Sequence, residues 1–196
     1  DQVPVIASVC GFCNRGNLAS EKIIFEEKFP IKGIRGIPPN IDVIIHNVES
    51  SRFKRFAIES KFSEAYRSYG MKGLKSAYLE KTELWQDIPE LHKLAISISL
   101  KDENNRYLDA AQLIKHILGL MSVLKKGEFK LLYLWYDVLG KEGADHRDEI
   151  DHFNAIAKSD GIHFSALSYQ GLIIRLAKKY RQEHPEYVKY LTERYL

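Results

Sequence analysis

Three charged residues interrupt two short apolar runs in the first third of the chain. Asp42 lies in the run 41–46, and Glu59 and Lys61 lie in the run 55–62. If the second run is a strand, Glu59 and Lys61 project from the same face, because side chains alternate between faces with a period of two. An ionised carboxylate inside an apolar strand costs desolvation free energy unless another group offsets it.

These residue types fit a divalent metal ion and a phosphodiester. Mg²⁺ takes oxygen ligands, usually one or two carboxylates completed by water and substrate phosphate. Asp42 and Glu59 supply carboxylates, and the backbone carbonyl of Ser60 supplies a third oxygen. Lys61 can orient an attacking water and offset charge on the phosphate, with one or two metal ions present. The alternative is a cross-strand salt bridge at a sheet edge with no chemical role.

Length and composition indicate one globular domain with an ordinary core. The 196 residues are 45% hydrophobic and 28% charged, with a formal net charge of +3. This balance permits a DNA-binding face without requiring one. We expect no membrane span and a cytoplasmic location, because long apolar runs and a leader are missing and two cysteines argue against a disulfide scaffold. A start at Asp1 rather than at methionine is expected of a fragment or a processed chain.

The two apolar runs need neighbouring elements to position them. Residues 18–29 are predicted to form a helix, with Ser20 as N-cap and Pro30 ending it. The runs 41–46 and 55–62 are predicted to form an antiparallel hairpin, because the connection between them is short. We expect residues 63–94 to be a helical insertion after the second of these strands. Residues 94–100 can continue a helix or form a strand.

The second half alternates between helices and strands. The predicted elements are a helix at 109–126, a strand at 129–138, a helix at 145–159, a strand at 162–169, a helix at 172–181 and a helical tail at 185–196. This order implies right-handed β-α-β crossovers. The sequence therefore predicts an α/β fold with a central mixed β-sheet flanked by helices.

Two further groups of residues could bind ligands. Cys10 and Cys13 form a C-x-x-C pair in the N-terminal segment 1–17, which we expect to be the end of a truncated region. They are either two structural thiols on a tight turn or half of a zinc site, since a closed site needs four ligands. Gln170 precedes a predicted helix, where it can contact a phosphate or simply be a helix-entry residue. The Lys- and Tyr-rich segment 66–81 suits either DNA contact or a solvated insertion.

The two apolar runs also carry a resemblance to a known family. Ile-Asp-Val-Ile-Ile followed by Ala-Ile-Glu-Ser-Lys-Phe resembles the active site of the PD-(D/E)XK nuclease superfamily, with an acid on one strand and acid-x-Lys on the next. From residue 20 to 62, and again at 133–136 and 168–170, the chain is similar to bacterial restriction endonuclease-like proteins. Pro38 and Pro39 precede Asp42 by a few residues, so the proline of the motif is displaced.

The resemblance implies a restriction-endonuclease-like core in a nuclease-like domain at 18–196. It implies hydrolysis of DNA with Mg²⁺, for which Mn²⁺ substitutes, through in-line attack of an activated water. Asp42 and Glu59 would be metal ligands, and Lys61 would be catalytic. The family commonly adds a glutamate from its first helix, for which we choose Glu21, with Glu26 or Glu27 as replacements. Enzymes of this kind that cut both strands often do so as homodimers.

Two other functions compete with a restriction-like endonuclease. The same core serves Holliday-junction resolvases and repair nucleases, because a fold does not determine the substrate. A protein of another class, a non-cleaving DNA-binding module with a zinc-binding C-x-x-C, would have little need for the two acids and the lysine together. The intact set of Asp42, Glu59 and Lys61 therefore favours an enzyme.

Overall fold

Among the residues that the structure describes, five β-strands form one sheet with the spatial order β1-β2-β3-β4-β5. The computed structural model describes residues 2–14, 19–66, 73–99 and 101–196. The strands are β1 Ser20–Lys28, β2 Asn40–Asn47, β3 Arg55–Lys61, β4 Phe129–Trp135 and β5 Phe164–Ser168. β2 is antiparallel to both of its neighbours, β1 and β3, whereas β3, β4 and β5 are parallel to one another. The sheet is therefore mixed, as predicted, and β3 is its central strand.

Helices connect and cover the strands. They are α1 Val3–Val9, α2 Ser76–Leu79, α3 Pro89–Ser97, α4 Ala110–Met121, α5 Lys141–Ser159, α6 Tyr169–Tyr180 and α7 Pro185–Tyr195, with short 3₁₀ turns at Ser63–Tyr66 and Thr82–Leu84. α2, α3 and α4 lie between β3 and β4, and α5 lies between β4 and β5, which gives the predicted β-α-β crossovers. In the described part of the chain, no helix is long and apolar enough to cross a membrane.

The predicted helix over residues 18–29 is wrong, because most of this segment is strand β1. Ser20 and the acids that follow it imitate a helix start, which is a signal confined to a few neighbouring residues. β1 instead pairs along nearly the full length of β2, with Ile24 opposite Ile44. As the outermost strand it is mostly charged and exposed, a composition that protects a sheet edge from pairing with another chain. Long-range pairing has overridden the local preference.

The hydrophobic core has two parts, one on each face of the sheet. The larger part includes Ala57 of β3 and Tyr133 of β4, which pack with residues of α3, α4 and α5. The smaller part includes Ile58 and Leu132 of the same two strands, which pack with residues of α1 and α6. Adjacent residues of one strand thus point into different parts of the core, as the pleat requires. This explains why consecutive residues are apolar from Phe56 to Ile58 in β3 and from Leu131 to Trp135 in β4.

The predicted insertion over 63–94 belongs to the main core. Its described part contains short helices joined by turns, and Leu74, Trp85 and Leu91 are buried in the larger core cluster. The undecided stretch 94–100 begins inside α3, which ends at Ser97. Together these helices form the layer against which α4 and β3 pack.

Gly119 of α4 should not tolerate a side chain. An added Cβ would lie 2.8 Å from Phe29 Cβ, 2.9 Å from the Phe29 carbonyl oxygen and 3.0 Å from Pro39 Cγ, where α4 approaches the connection between β1 and β2. We expect Gly119→Ala to lower the free energy of unfolding by about 1–3 kcal/mol in urea titrations, because a backbone oxygen cannot rotate away. Alanine's helix preference, worth about 1 kcal/mol, offsets part of the strain.

Gly127→Ala is the matched control. No described atom lies within 4 Å of the Cβ that it would add, so its effect should stay within about 0.5 kcal/mol. Equal effects of the two substitutions would contradict the close approach of α4 to the β1–β2 connection.

Candidate active site

Asp42, Glu59 and Lys61 lie on the same face of the β2–β3 hairpin. The register pairs Val43 with Ile58, so the next position places Asp42 directly opposite Glu59. Lys61 is two residues further along β3 and projects from the Glu59 side. The hairpin and the assignment of these side chains to one face agree with the sequence prediction. The face is the one covered by α4.

The backbone pairing of β2 with β3 ends at Val43 and Ile58. Beyond this point the side chain of Asp42, rather than its backbone, bonds to β3. Asp42 Oδ2 accepts a hydrogen bond of 2.8 Å from the backbone N–H of Ser60. Because the N–H and C=O of one strand residue point in the same direction, the Ser60 carbonyl also points toward Asp42. The predicted third oxygen is therefore on the side of the carboxylates.

Glu59 and Lys61 form an ion pair at the end of β3. Lys61 Nζ lies 2.7 Å from Glu59 Oε1, and the two side chains are 22% and 1% exposed. Burial alone would raise the pKa of Glu59, but His116 and Lys61 hold it below its ordinary value of 4.5. Burial would lower the pKa of Lys61, but the charges of Glu59 and Asp42 raise it above 10.5. At neutral pH the pair is ionised.

The Asp42 carboxyl is in a less favourable environment. Burial raises its pKa above the ordinary value of 3.8, and the nearby charge of Glu59 raises it further. The Ser60 N–H and the Lys61 ammonium offset only part of this effect. When Asp42 and Glu59 are both ionised, their two negative charges exceed the single positive charge of Lys61, and a cation would neutralise this excess.

His116 completes the surroundings of Glu59, and the sequence reading missed it. This residue of α4 is 1% exposed, and its Nε2 atom lies 2.8 Å from Glu59 Oε2. The two oxygens of Glu59 thus contact different partners, Lys61 on one side and His116 on the other. The available signal was a single histidine among the apolar residues of a strongly periodic helix, which by itself reads as a core position.

The acids expected on a first helix lie on β1 instead. The register places Glu26 opposite Asp42, and the charge of Glu26 adds slightly to the rise in the Asp42 pKa caused by burial and Glu59. Glu21 lies near the other end of β1. The Glu27 carboxylate lies 2.8 Å from His46 Nε2. The structure therefore brings Glu26 to the hairpin acids rather than our first choice, Glu21.

Glu26 also has an unusual backbone conformation. Its φ of 56° makes it the one described residue other than glycine with a positive φ. Its carboxylate accepts a hydrogen bond from the side-chain amide of Asn40, at the start of β2. Such a conformation costs on the order of 1–3 kcal/mol and recurs at functional sites. This cost and the bond from Asn40 mark Glu26 as a specifically placed acid.

The N-terminus of α6 supports the end of β3 from the opposite face. Tyr169 Oη lies 2.5 Å from the hydroxyl of Ser60, in hydrogen-bond contact. Gln170 is engaged with the backbone of Asp137, accepting from its N–H at 3.2 Å and donating to its carbonyl at 2.8 Å. Of the two interpretations of Gln170, this favours the helix-entry residue, which ties α6 to the end of β4.

A buried hydrogen-bond chain runs beside the site. His146 is fully buried, with Nε2 3.2 Å from Tyr133 Oη and Nδ1 3.0 Å from Tyr66 Oη. Tyr66 donates to the carbonyl of Tyr136, so its oxygen accepts from His146 Nδ1–H and Tyr133 donates to Nε2. Burial lowers the pKa of His146 to about 4, so the imidazole is neutral. These hydrogen bonds connect α5, through His146, to Tyr133 of β4 and to Tyr66 in the turn after β3.

The two cysteines lie where α1 ends. Cys10 is buried in the smaller core cluster and Cys13 is partly buried against it. Burial raises the pKa of Cys10 to about 12, which opposes the thiolate that zinc requires. The location favours two structural thiols, and the zinc site stays a prediction.

The residues of the hairpin fit a hard divalent cation. Both Glu59 oxygens are buried and, within the described residues, neither has a hydrogen bond of normal angular geometry, despite the short contacts to Lys61 and His116. Mg²⁺ needs only one or two protein carboxylates. Across the described ranges, no group of three or more His, Cys, Asp or Glu residues is arranged to hold a metal. Asp42 and Glu59 are residue types that would hold Mg²⁺, with water and substrate as its other ligands.

The fold and the hairpin define an α/β protein with an acidic site at the end of its central strand. A family model described as a restriction endonuclease associating with ARP matches residues 10–196. The chain belongs to this restriction-endonuclease-like family, which confirms the predicted resemblance at the family level. No curated protein and no solved structure gives a significant match.

Replacing Asp42 should stabilise the metal-free protein. Because its pKa is raised in the folded state, ionised Asp42 opposes folding; the cost is absent well below pH 3.8 and grows as the pH rises through the folded-state pKa. We expect Asp42→Asn, which keeps an oxygen for the Ser60 N–H, to raise the free energy of unfolding at pH 8. The gain should be at most on the order of 1 kcal/mol, because solvent screens a half-buried group.

Urea titrations in chelator at pH 8 and pH 5 measure this effect, and the advantage of Asp42→Asn should shrink at the lower pH. Asp151→Asn on the exposed face of α5 is the control and should change little. A variant less stable than the wild type at pH 8 would show that Asp42 favours folding.

Proposed function

We propose that this chain is a metal-dependent endodeoxyribonuclease of the restriction type and a member of the PD-(D/E)XK superfamily. One observation carries the proposal: β2 and β3 bring Asp42, Glu59 and Lys61 together on one face, with Glu59 almost completely buried. Membership in a restriction-endonuclease-like family makes DNA the substrate that this site would act on.

The salt-bridge alternative does not account for this arrangement. A salt bridge without function is expected at an exposed edge, whereas β3 lies between β2 and β4 in the centre of the sheet. Removing a carboxylate from water costs several kcal/mol, and one lysine rarely repays this cost. A buried Glu59 with a second acid beside it is therefore better explained by a bound cation than by structural stabilisation.

In the proposed reaction, the acidic residues and Lys61 have different roles. Asp42, Glu59 and the Ser60 carbonyl would hold Mg²⁺ or Mn²⁺, which would neutralise phosphate charge and lower the pKa of water. Because its pKa is raised, Lys61 stays protonated at neutral pH and cannot act as a general base. Its ammonium instead donates hydrogen bonds to the attacking water or the phosphate and stabilises the charge that develops there.

Substitution of the three residues should abolish cleavage without unfolding the protein. We expect Asp42→Asn, Glu59→Gln and Lys61→Ala each to reduce plasmid nicking or cutting in Mg²⁺ or Mn²⁺ by a factor of about 100 or more, since each removes a charge at the reacting phosphate. Gel assays measure cleavage, and circular dichroism checks the fold.

Lys101→Ala provides the matched control. Lys101 also pairs with an acid two residues away, Glu103, at 3.0 Å, but both side chains are exposed and far along the chain from the hairpin. The Lys101→Ala variant should cleave DNA as fast as the wild type. Full activity in Asp42→Asn and Lys61→Ala would overturn the site assignment. An inactive wild type on plasmid, linear duplex, single-stranded and four-way-junction DNA would support the non-cleaving module, whereas cleavage of junctions alone would support a resolvase.

Glu26 should be the acid that β1 contributes. Because Glu26 faces Asp42 and Glu21 does not, we expect Glu26→Gln to lower cleavage by about tenfold or more and to raise the Mg²⁺ concentration needed for half-maximal activity. Glu21→Gln and Glu27→Gln are matched controls on the same strand and should leave both quantities within twofold. A larger loss in Glu21→Gln than in Glu26→Gln would restore our first choice.

The assembly extends beyond one chain in this proposal. A homodimer stays our prediction for the form that cuts both strands. The family description names an association with ARP, which we propose for this chain as well.

A further inference from the structure

One carboxylate oxygen of Glu59 contacts His116, a residue that has no role in the proposed reaction. His116 lies in the middle of α4 and is 1% exposed. Its Nε2 atom is 2.8 Å from Glu59 Oε2, while Lys61 Nζ is 2.7 Å from Oε1. The carboxylate therefore lies between α4 and the end of β3, with one oxygen turned inward and the other toward the lysine.

Packing does not explain a histidine at this position. Among the described residues, Nδ1 of His116 has no hydrogen-bond partner, and the contact of Nε2 with Glu59 lacks normal hydrogen-bond angles. A buried polar group left in this state costs about 1–3 kcal/mol. The neighbouring positions of α4, such as Leu113, Ile117 and Leu120, are apolar and buried, so a leucine would suit the helix better.

We propose that His116 is a positioning residue that fixes the orientation of the Glu59 carboxylate. In this proposal, the contact with His116 Nε2 holds Oε2 on the side of α4 and leaves Oε1 on the side of Lys61. A ligand held in one orientation before the cation arrives loses less conformational freedom on binding it. The inference rests on the proposed function, because it assigns Glu59 to a metal ion, and it adds a residue of α4 to the site.

Substitutions of His116 by side chains of different length test this role directly. The amide nitrogen of glutamine reaches about as far as histidine Nε2, whereas that of asparagine reaches only as far as Nδ1. We expect His116→Leu to weaken Mn²⁺ binding by about 10–100-fold, the usual effect of losing a group that orients a metal ligand. His116→Gln should recover most of the affinity and His116→Asn should not. The free energy of unfolding of His116→Leu should be lower than that of the wild type, because Oε2 of the buried Glu59 loses its contact with Nε2.

Binding of Mn²⁺ alone, measured by the electron paramagnetic resonance signal of the free ion, is the main readout, with DNA cleavage as the second. Leu120→Ala on the same helix controls for general destabilisation: it should lower stability by about 2–5 kcal/mol and leave Mn²⁺ affinity unchanged.

The outcomes separate this inference from the proposed function. A wild type that binds Mn²⁺, with His116→Leu binding it equally well, overturns the role of His116 alone. Equal losses in His116→Gln and His116→Asn also overturn it, because the reach of the donor would then be irrelevant. A wild type that neither binds Mn²⁺ nor cuts DNA overturns the proposed function, and this inference with it.

Discussion

The structure depends on a carboxylate buried in the central strand of its sheet. Glu59 is 1% exposed, and an isolated carboxylate in such a place would take up a proton. Lys61 and His116 prevent this by contacting its two oxygens. The lysine comes from the same strand, but the histidine comes from α4, so the layer of helices on this face must pack closely enough to deliver it. The position of α4 is thus a requirement of the site as well as of the core.

The second constraint is the early end of the β2–β3 pairing. A longer ladder would stabilise the hairpin, but it would occupy the backbone groups of Ser60 with backbone partners from β2. Instead the Asp42 side chain takes the Ser60 N–H, and its own pKa rises because Glu59 lies beside it. The hairpin is therefore less stable than a fully paired one, but the oxygens of Asp42 and Ser60 lie close together at its end. Such local costs are typical of functional sites.

Sequence patterns predicted the parts of this arrangement that depend on alternation along one strand. The faces of Asp42, Glu59 and Lys61 follow from a period of two, and the β-α-β order follows from apolar runs. The conformation of β1 could not be predicted this way, because its helix-start signals are local and its pairing with β2 is not. His116 escaped notice for a related reason: its spacing matches a core position, and its meaning comes from Glu59, 57 residues earlier in the chain.

The charges of the site also bear on whether the cation or the DNA would bind first in the proposed reaction. Asp42, Glu59 and Glu26, when ionised, leave two negative charges in excess over Lys61. A DNA phosphate would bring another negative charge into the same partly desolvated region, where repulsion is stronger than in bulk water. Lys61 is already paired with Glu59 and cannot compensate alone. In the proposed function, a divalent cation would therefore be needed to admit the DNA strand, and its role would precede any activation of water.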